Sequence, residues 1–280
     1  RPPAPLPVPL PLPTSLTSIS RLPCPPFSPV HLSRCLLFRL AIRKGTAEKS
    51  IVHPPGLYAQ GLRVDVADKL LFVAGGFDGK GYVYDSNTGA TLVTYQFSTA
   101  PSVINDVALT PAGAWFTNSF QPELYFVPIT NGHPGRFTTL HLSGPAAAAP
   151  PGEINNNGIQ ATSDGSTLVV AHSSSGALNA VNPKTGASRA IKGLNLPNVD
   201  GILMEGRTLY AVQNFVNQIA EVRLSGDLTS GSVRKVIRSG VFEVPTTVAR
   251  CGDRLAAVNA KFDTGIPPTA ASFEVVVVDR

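Results

Sequence analysis

The 280 residues are 43% hydrophobic and only 15% charged, with 25 glycines and 26 prolines. That is the usage of an all-β protein, and no apolar run approaches the ~20 residues that a membrane-spanning helix needs. The pI of about 9.2 is local in origin: residues 1–50 hold seven of the 23 basic groups and one of the 18 acids. The remainder is close to neutral and has no Lys/Arg stripe, which excludes the electrostatic footprint of a nucleic-acid binder.

Eleven of the first thirty residues are proline, so residues 1–35 can form neither a helix nor a central strand. They are expected to be disordered or polyproline-like and foreign to the folded body. A secretory signal lacks its uninterrupted apolar core here, and a transit peptide would be less proline-rich. A proline-rich ligand for an aromatic groove is a further reading. Cys24, Cys35 and Cys251 show no CxxC spacing and read as buried or incidental thiols.

Leu36 to Ile42, a turn at Arg43-Lys44-Gly45, and Ser50 to His53 look like two outer strands of a repeat. Five fuller copies follow. Each opens with a polar residue just before the pair that starts its first strand: Gln60, Asn105, Asn157, Asp200 and Thr246, at steps of 45, 52, 43 and 46 residues. Second strands recur at matching offsets, beginning at Leu70, Ala114, Leu168, Leu209 and Leu255. Glycine turns close the first four copies at Gly89, Gly132, Gly186 and Gly231, and Gly45 stands in step before them. Repeats of ~40–50 residues, each of about four short strands, are the mark of a β-propeller. A β-sandwich also has many short strands, but it gives no reason for five polar residues in one register.

The expected architecture is therefore an all-β, six-bladed β-propeller over 36–280. Its first blade is present only as an outer half at 36–53, four complete blades cover about 57–243, and a partial blade ends the chain at 244–280. The missing inner strands should uncover apolar faces on the flanking blades. Poor expression or aggregation is then expected, with rescue by a restored first blade.

Several motifs carry a family resemblance: Ile104-Asn105-Asp106-Val107, Asn156-Asn157-Gly158-Ile159 with Asp164-Gly165, and Val199-Asp200-Gly201-Ile202. Phe72 to Gly76 (FVAGG) and Ala257 to Phe262 (AVNAKF) add to them. With these in order, the chain resembles the senescence-marker-protein, gluconolactonase and luciferin-regenerating-enzyme-like superfamily of six-bladed propellers, whose relatives include paraoxonases and calcium-dependent phosphotriesterases. The resemblance implies one divalent cation, Ca²⁺, at the top of the central tunnel, with Asn105, Asn157 and Asp200 among its ligands. Amide and carboxylate oxygens suit such a hard cation; each residue alone could equally bond its own backbone at a strand end. Family members usually draw a glutamate ligand from the first blade, and that half-blade is missing here, so the site is expected to be weakened or vestigial.

The implied activity is hydrolysis of a small lactone or ester. Asp106 and His172 are the candidate acid–base groups; either could instead be satisfied within the fold. Gln60, Asn118, Gln213 and Asn259 are placed around the mouth as substrate-reading groups. The competing readings are a non-catalytic propeller that binds a ligand or partner, and a truncated fragment without function of its own. The partner expected is a small molecule, with no nucleic acid and no membrane. The chain is expected to be a monomer, and family resemblance points to a secreted or extracytoplasmic location.

Overall fold

The computed structural model describes residues 28–32, 36–41, 46–52, 59–266, 268–270 and 272–280. The N-terminal sheet orders β1 (Ser28–Leu32), β2 (Leu36–Ala41) and β3 (Thr46–Val52) side by side and antiparallel. Five sheets follow, strictly in chain order. The first contains β4 (Leu62–Asp65), β5 (Leu70–Ala74), β6 (Lys80–Asp85) and β7 (Thr91–Gln96). The second has β8 (Ile104–Thr110), β9 (Gly113–Asn118) and β10 (Glu123–Thr130), with β11 (His133–Pro134) and β12 (Thr138–His141) both pairing β10. The third has β13 (Asn156–Ala161), β14 (Leu168–His172), β15 (Ala177–Val181) and β16 (Ser188–Ala190). The fourth has β17 (Val199–Glu205), β18 (Thr208–Gln213), β19 (Gln218–Leu224) and β20 (Gly231–Arg238). The fifth has β21 (Pro245–Cys251), β22 (Arg254–Asn259) and β23 (Val275–Asp279).

These five antiparallel meanders are the blades of a β-propeller. Second strands such as Leu70–Ala74 and Leu168–His172 are buried along their whole length, so both faces of a blade pack against its neighbours. Phe72 and Val83 of the first blade meet Ile104, Phe116 and Tyr125 of the second. Phe97 lies flat on Tyr125 at 4.8 Å between ring centres and tilted on Phe116 at the same separation. Trp115 and Leu124 then meet Ile159 and Val170 of the third blade. Val169 and Leu178 meet Ile202 and Leu209 of the fourth, and Leu203 and Val212 meet Val248 and Leu255 of the fifth. Acidic turns close the hairpin tips. Asp164 accepts from Ser166 N and from the hydroxyls of Thr162 and Ser166, and these bonds hold its carboxyl down at about 2.

Several sequence expectations are corrected. Among the described residues the propeller has five blades rather than six, with β1–β3 as a further three-stranded sheet ahead of them, consistent with an incomplete first blade. Nor is the N-terminal segment wholly irregular up to residue 35: Ser28–Leu32 is a strand, and its Pro29 is tolerated because β1 sits at the sheet edge. Residues 1–27 and 33–35, and the expected turn at 43–45, lie outside the described residues. The face of the first blade that carries Leu62, Leu71, Val73 and Tyr82 is buried, not uncovered. Cys251 is disulfide-bonded and so is no free thiol; the other two cysteines, Cys24 and Cys35, lie outside the described residues. Among the described residues no helix is long and apolar enough to cross a membrane.

Candidate functional site

Four of the five inner strands begin with an irregularity that fixes where the polar opening residue points. The antiparallel register breaks between Ile104 and Val107, between Asn156 and Ile159, between Val199 and Ile202, and between Pro245 and Thr247. Such a bulge bends the strand and re-aims a side chain. Asn105, Asn157, Asp200 and Thr246 fall within these four breaks. Together with Gln60, which precedes β4, they line one cavity of about 320 Å³. Five residues 43 to 52 positions apart in sequence thus share one floor.

The floor is held by the residues just past the second strands. Asn105 Nδ2 donates to Ser119 Oγ at 2.9 Å, and Asn157 Nδ2 donates to Ser173 Oγ at 3.0 Å. Asn214 Nδ2 donates to Asp200 Oδ2 at 3.1 Å. Ser119 Oγ in turn donates to Asn156 O at 2.7 Å, and Ser173 Oγ donates to Val199 O. Each serine therefore ties one blade's opening amide to the next blade's inner strand. With an N–H of each NH₂ engaged, each amide's oxygen is the group that can accept from a ligand or coordinate an ion.

The charge is one-sided. Among the described residues, Asp200 and Glu153 line the cavity, and no lysine, arginine or histidine does. Burial pushes Asp200 up to about 7. The hydrogen bond from Asn214 works against that rise, the nearby Asp106 carboxylate adds to it, and Asn157 opposes it. One side of Asp200 remains partly exposed. Glu153 rides on a loop pinned by Asn155, whose Nδ2 donates to Ser119 O, Pro150 O and Glu153 O, and whose Oδ1 accepts from Ser174 Oγ.

The other sequence candidates lie elsewhere. Asp106 is buried between blades: its Oδ2 accepts from Ile159 N at 3.1 Å, and its own N–H donates to Thr117 Oγ1. Burial raises its carboxyl, against the pull of the Arg63 charge. His172 is 1% exposed; its Nε2 is 2.8 Å from Ala148 O and its Nδ1 3.0 Å from Ser175 Oγ. Asn118 accepts from Val103 N and Phe120 N and donates to Tyr125 Oη. Gln213 donates to Pro197 O and accepts from Gln218, while Asn259 accepts from Glu243 N and donates to Val241 O.

Asp106, His172, Asn118, Gln213 and Asn259 thus do not line the cavity that the opening residues share. The reason is register. Asn118, His172, Gln213 and Asn259 pair across with Ile104, Asn156, Val199 and Pro245, each one residue ahead of the floor. Cross-strand partners share a face, so all four side chains are turned between the blades. Ser119, Ser173 and Asn214, each one position later, hold the floor instead, and sequence reading missed them together with Glu153. Among the described residues there is no group of three or more His, Cys, Asp or Glu that could hold a metal; the floor is built mainly of amides.

No protein-family model matches the sequence, and no curated protein matches it. Solved structures do. The calcium-binding protein regucalcin from Agrobacterium tumefaciens aligns over 97% of this chain and 93% of its own, at 17% identity and a TM-score of 0.66. The major allergen Mala s 1 of Malassezia sympodialis aligns over 94% and 92%, at 13% identity and a TM-score of 0.69. A chain of the nidogen/laminin complex aligns over 87% and 86%, at 16% identity and 0.62. At these identities the shared property is the fold: the chain is a β-propeller.

Proposed function

We propose that this propeller is a divalent-cation-dependent hydrolase of a small ester or lactone, with its site on the amide and carboxylate floor. The observation that carries the reading is Asp200. Its carboxyl is half-buried at the floor near the buried carboxylate of Asp106, and among the described residues no cationic side chain lines the cavity. A buried charge without a partner is costly, and oxygen donors around a carboxylate suit a hard cation. Asn105, Asn157 and Asp200 would hold the ion, which when bound would polarise a carbonyl oxygen. The likeness to a calcium-binding propeller is in keeping with this choice.

The remaining roles belong to the chain itself. Ser119 and Ser173 hold the two amides in orientation. Glu153, the one other carboxylate lining the cavity, is the group available to take a proton from water. With a single formal charge among the three ligands, calcium affinity is expected at the weak end, a Kd on the order of 10⁻⁴–10⁻³ M. Calorimetric titration of the chelator-treated protein should show that binding, and Asp200→Asn should abolish it. Phenyl acetate hydrolysis should require calcium and fall with Glu153→Gln. Absence of calcium binding at ~10 mM, well above that range, would remove the reading.

A second reading has one observation in its favour. His172, the histidine expected at the mouth, is sequestered by Ala148 O and Ser175, and among the described residues no histidine lines the cavity. A propeller that binds calcium and a ligand without turning it over would show the same titration and no hydrolysis.

A further inference from the structure

Part of the cavity lining is apolar. Phe77, from the loop between β5 and β6, Phe215, from the 3-10 turn Asn214–Val216, and Phe262, from the 3-10 turn Phe262–Thr264, all line it. Ile154 and Ile266 add to the same wall. Phe77 is 50% exposed, Phe215 53% and Ile266 72%. The two phenylalanines are the only aromatic residues among the large exposed apolar side chains of the described residues. Phe77 is also braced edge-on by Phe120, with ring centres 6.1 Å apart. Exposed apolar surface gathered on one feature marks a place where something apolar docks.

Building on the proposed ester or lactone site, we infer that the cavity takes a neutral molecule with a compact carbonyl head and an apolar aryl or alkyl body, and rejects polyhydroxylated sugar lactones. Three features argue for this class. A volume of about 320 Å³ is that of a small-molecule site. Apolar and polar side chains line the same cavity, so one ligand can set its head and its body against different surroundings. A polyhydroxylated body would bring hydroxyls rather than apolar surface against Phe77 and Phe215, where phenyl faces return no hydrogen bond for the water lost. Asp200 and Glu153, with no lining lysine or arginine, disfavour an anionic body.

The test uses the full chain in calcium buffer and non-hydrolysable lactams, so that binding is read apart from turnover. A heptyl-substituted γ-lactam and gluconolactam are titrated by calorimetry into the unmodified protein and into Phe77→Ser and Phe215→Ser. Both rings are half exposed, so their loss leaves the blade cores intact. The heptyl lactam should bind and gluconolactam should not. Each substitution should weaken heptyl-lactam binding by about tenfold or more, with calcium affinity, measured separately, unchanged. Gluconolactam binding as tightly as the heptyl compound overturns the inference, as does heptyl-lactam binding indifferent to both substitutions. Loss of calcium binding with phenylalanine-dependent lactam binding intact overturns the cation reading while supporting this one.

Discussion

Replacing Gly158 by alanine should cost on the order of 1–3 kcal/mol, and by valine more. A Cβ on Gly158 would stand 2.4 Å from Asp200 O, 2.8 Å from Ile202 N and 2.9 Å from Gly201 Cα, all backbone atoms of the next inner strand. No side chain can rotate out of the way, so the strands must part. Similar approaches recur nearby: a Cβ on Gly61 would meet Asn105 O at 2.6 Å, and one on Gly201 would meet Thr246 O at 2.7 Å. Gly61 N–H in fact donates to Asn105 O at 2.6 Å. For a chain of this size such a loss lowers the melting temperature by roughly 3–10 °C. Calcium affinity should fall with it, because the displaced carbonyl adjoins the floor. Gly226→Ala is the control, since nothing lies within 4 Å of the added atom; an equal melting shift in the two variants would refute the account.

The repeat was legible in sequence for the same steric reason. Close approach between inner strands asks for glycine just after the polar opening residue, which yields Gln60-Gly61, Asn157-Gly158 and Asp200-Gly201 in step. Where Asp106 replaces glycine, its carboxylate reaches across to Ile159 N and joins the blades by a hydrogen bond instead. The convergence of five distant residues on one cavity followed from that register. What spacing could not reveal was which residue at the end of a second strand faces the cavity. A shift of one residue reverses every facing, and the bulges at the inner-strand starts set that shift. Hence His172 and Gln213, conspicuous in sequence, are packed between blades, while the unremarkable Ser173 and Asn214 hold the floor. The phenylalanine lining was equally hidden, because its members come from loops that share no position in the repeat. The disulfide at Cys251 could not be read from three cysteines without motif spacing.

The floor joins two demands that oppose each other. The blades are stitched by backbone carbonyls and amides that tolerate little displacement, yet burial disfavours the charged form of Asp200 among them. Arg63, whose charge acts on Asp106, directs its Nε to Val107 O at 2.9 Å. Asp200 has no comparable partner, since Asn214 and Asn157 supply only neutral dipoles. A strained charge of this kind is tolerated where a ligand relieves it.

Ion-free protein should therefore become less stable as the pH is raised from 5 to 8, against the usual trend for a carboxylate. The folded-state pKa of Asp200, about 7, lies above its ordinary value of 3.8. The neutral form is thus favoured by folding, and that contribution is fully present below pH ~4 and lost as the pH rises through ~7. The whole rise from 3.8 to about 7 corresponds to about 4 kcal/mol at most, of which roughly two units, about 3 kcal/mol, fall between pH 5 and 8. Because Asp200 keeps one side open to the cavity, solvent screens its charge, and we expect on the order of 1–2 kcal/mol. Thermal melts in chelator should show the decline, and Asp200→Asn should flatten it and raise the melting temperature at pH 8. Calcium added at pH 8 should stabilise the unmodified protein and leave the asparagine variant unchanged. A melting temperature indifferent to pH across this window, in both proteins, would mean that the Asp200 carboxylate is satisfied by the fold alone, and the case for an ion at the floor would lose its support.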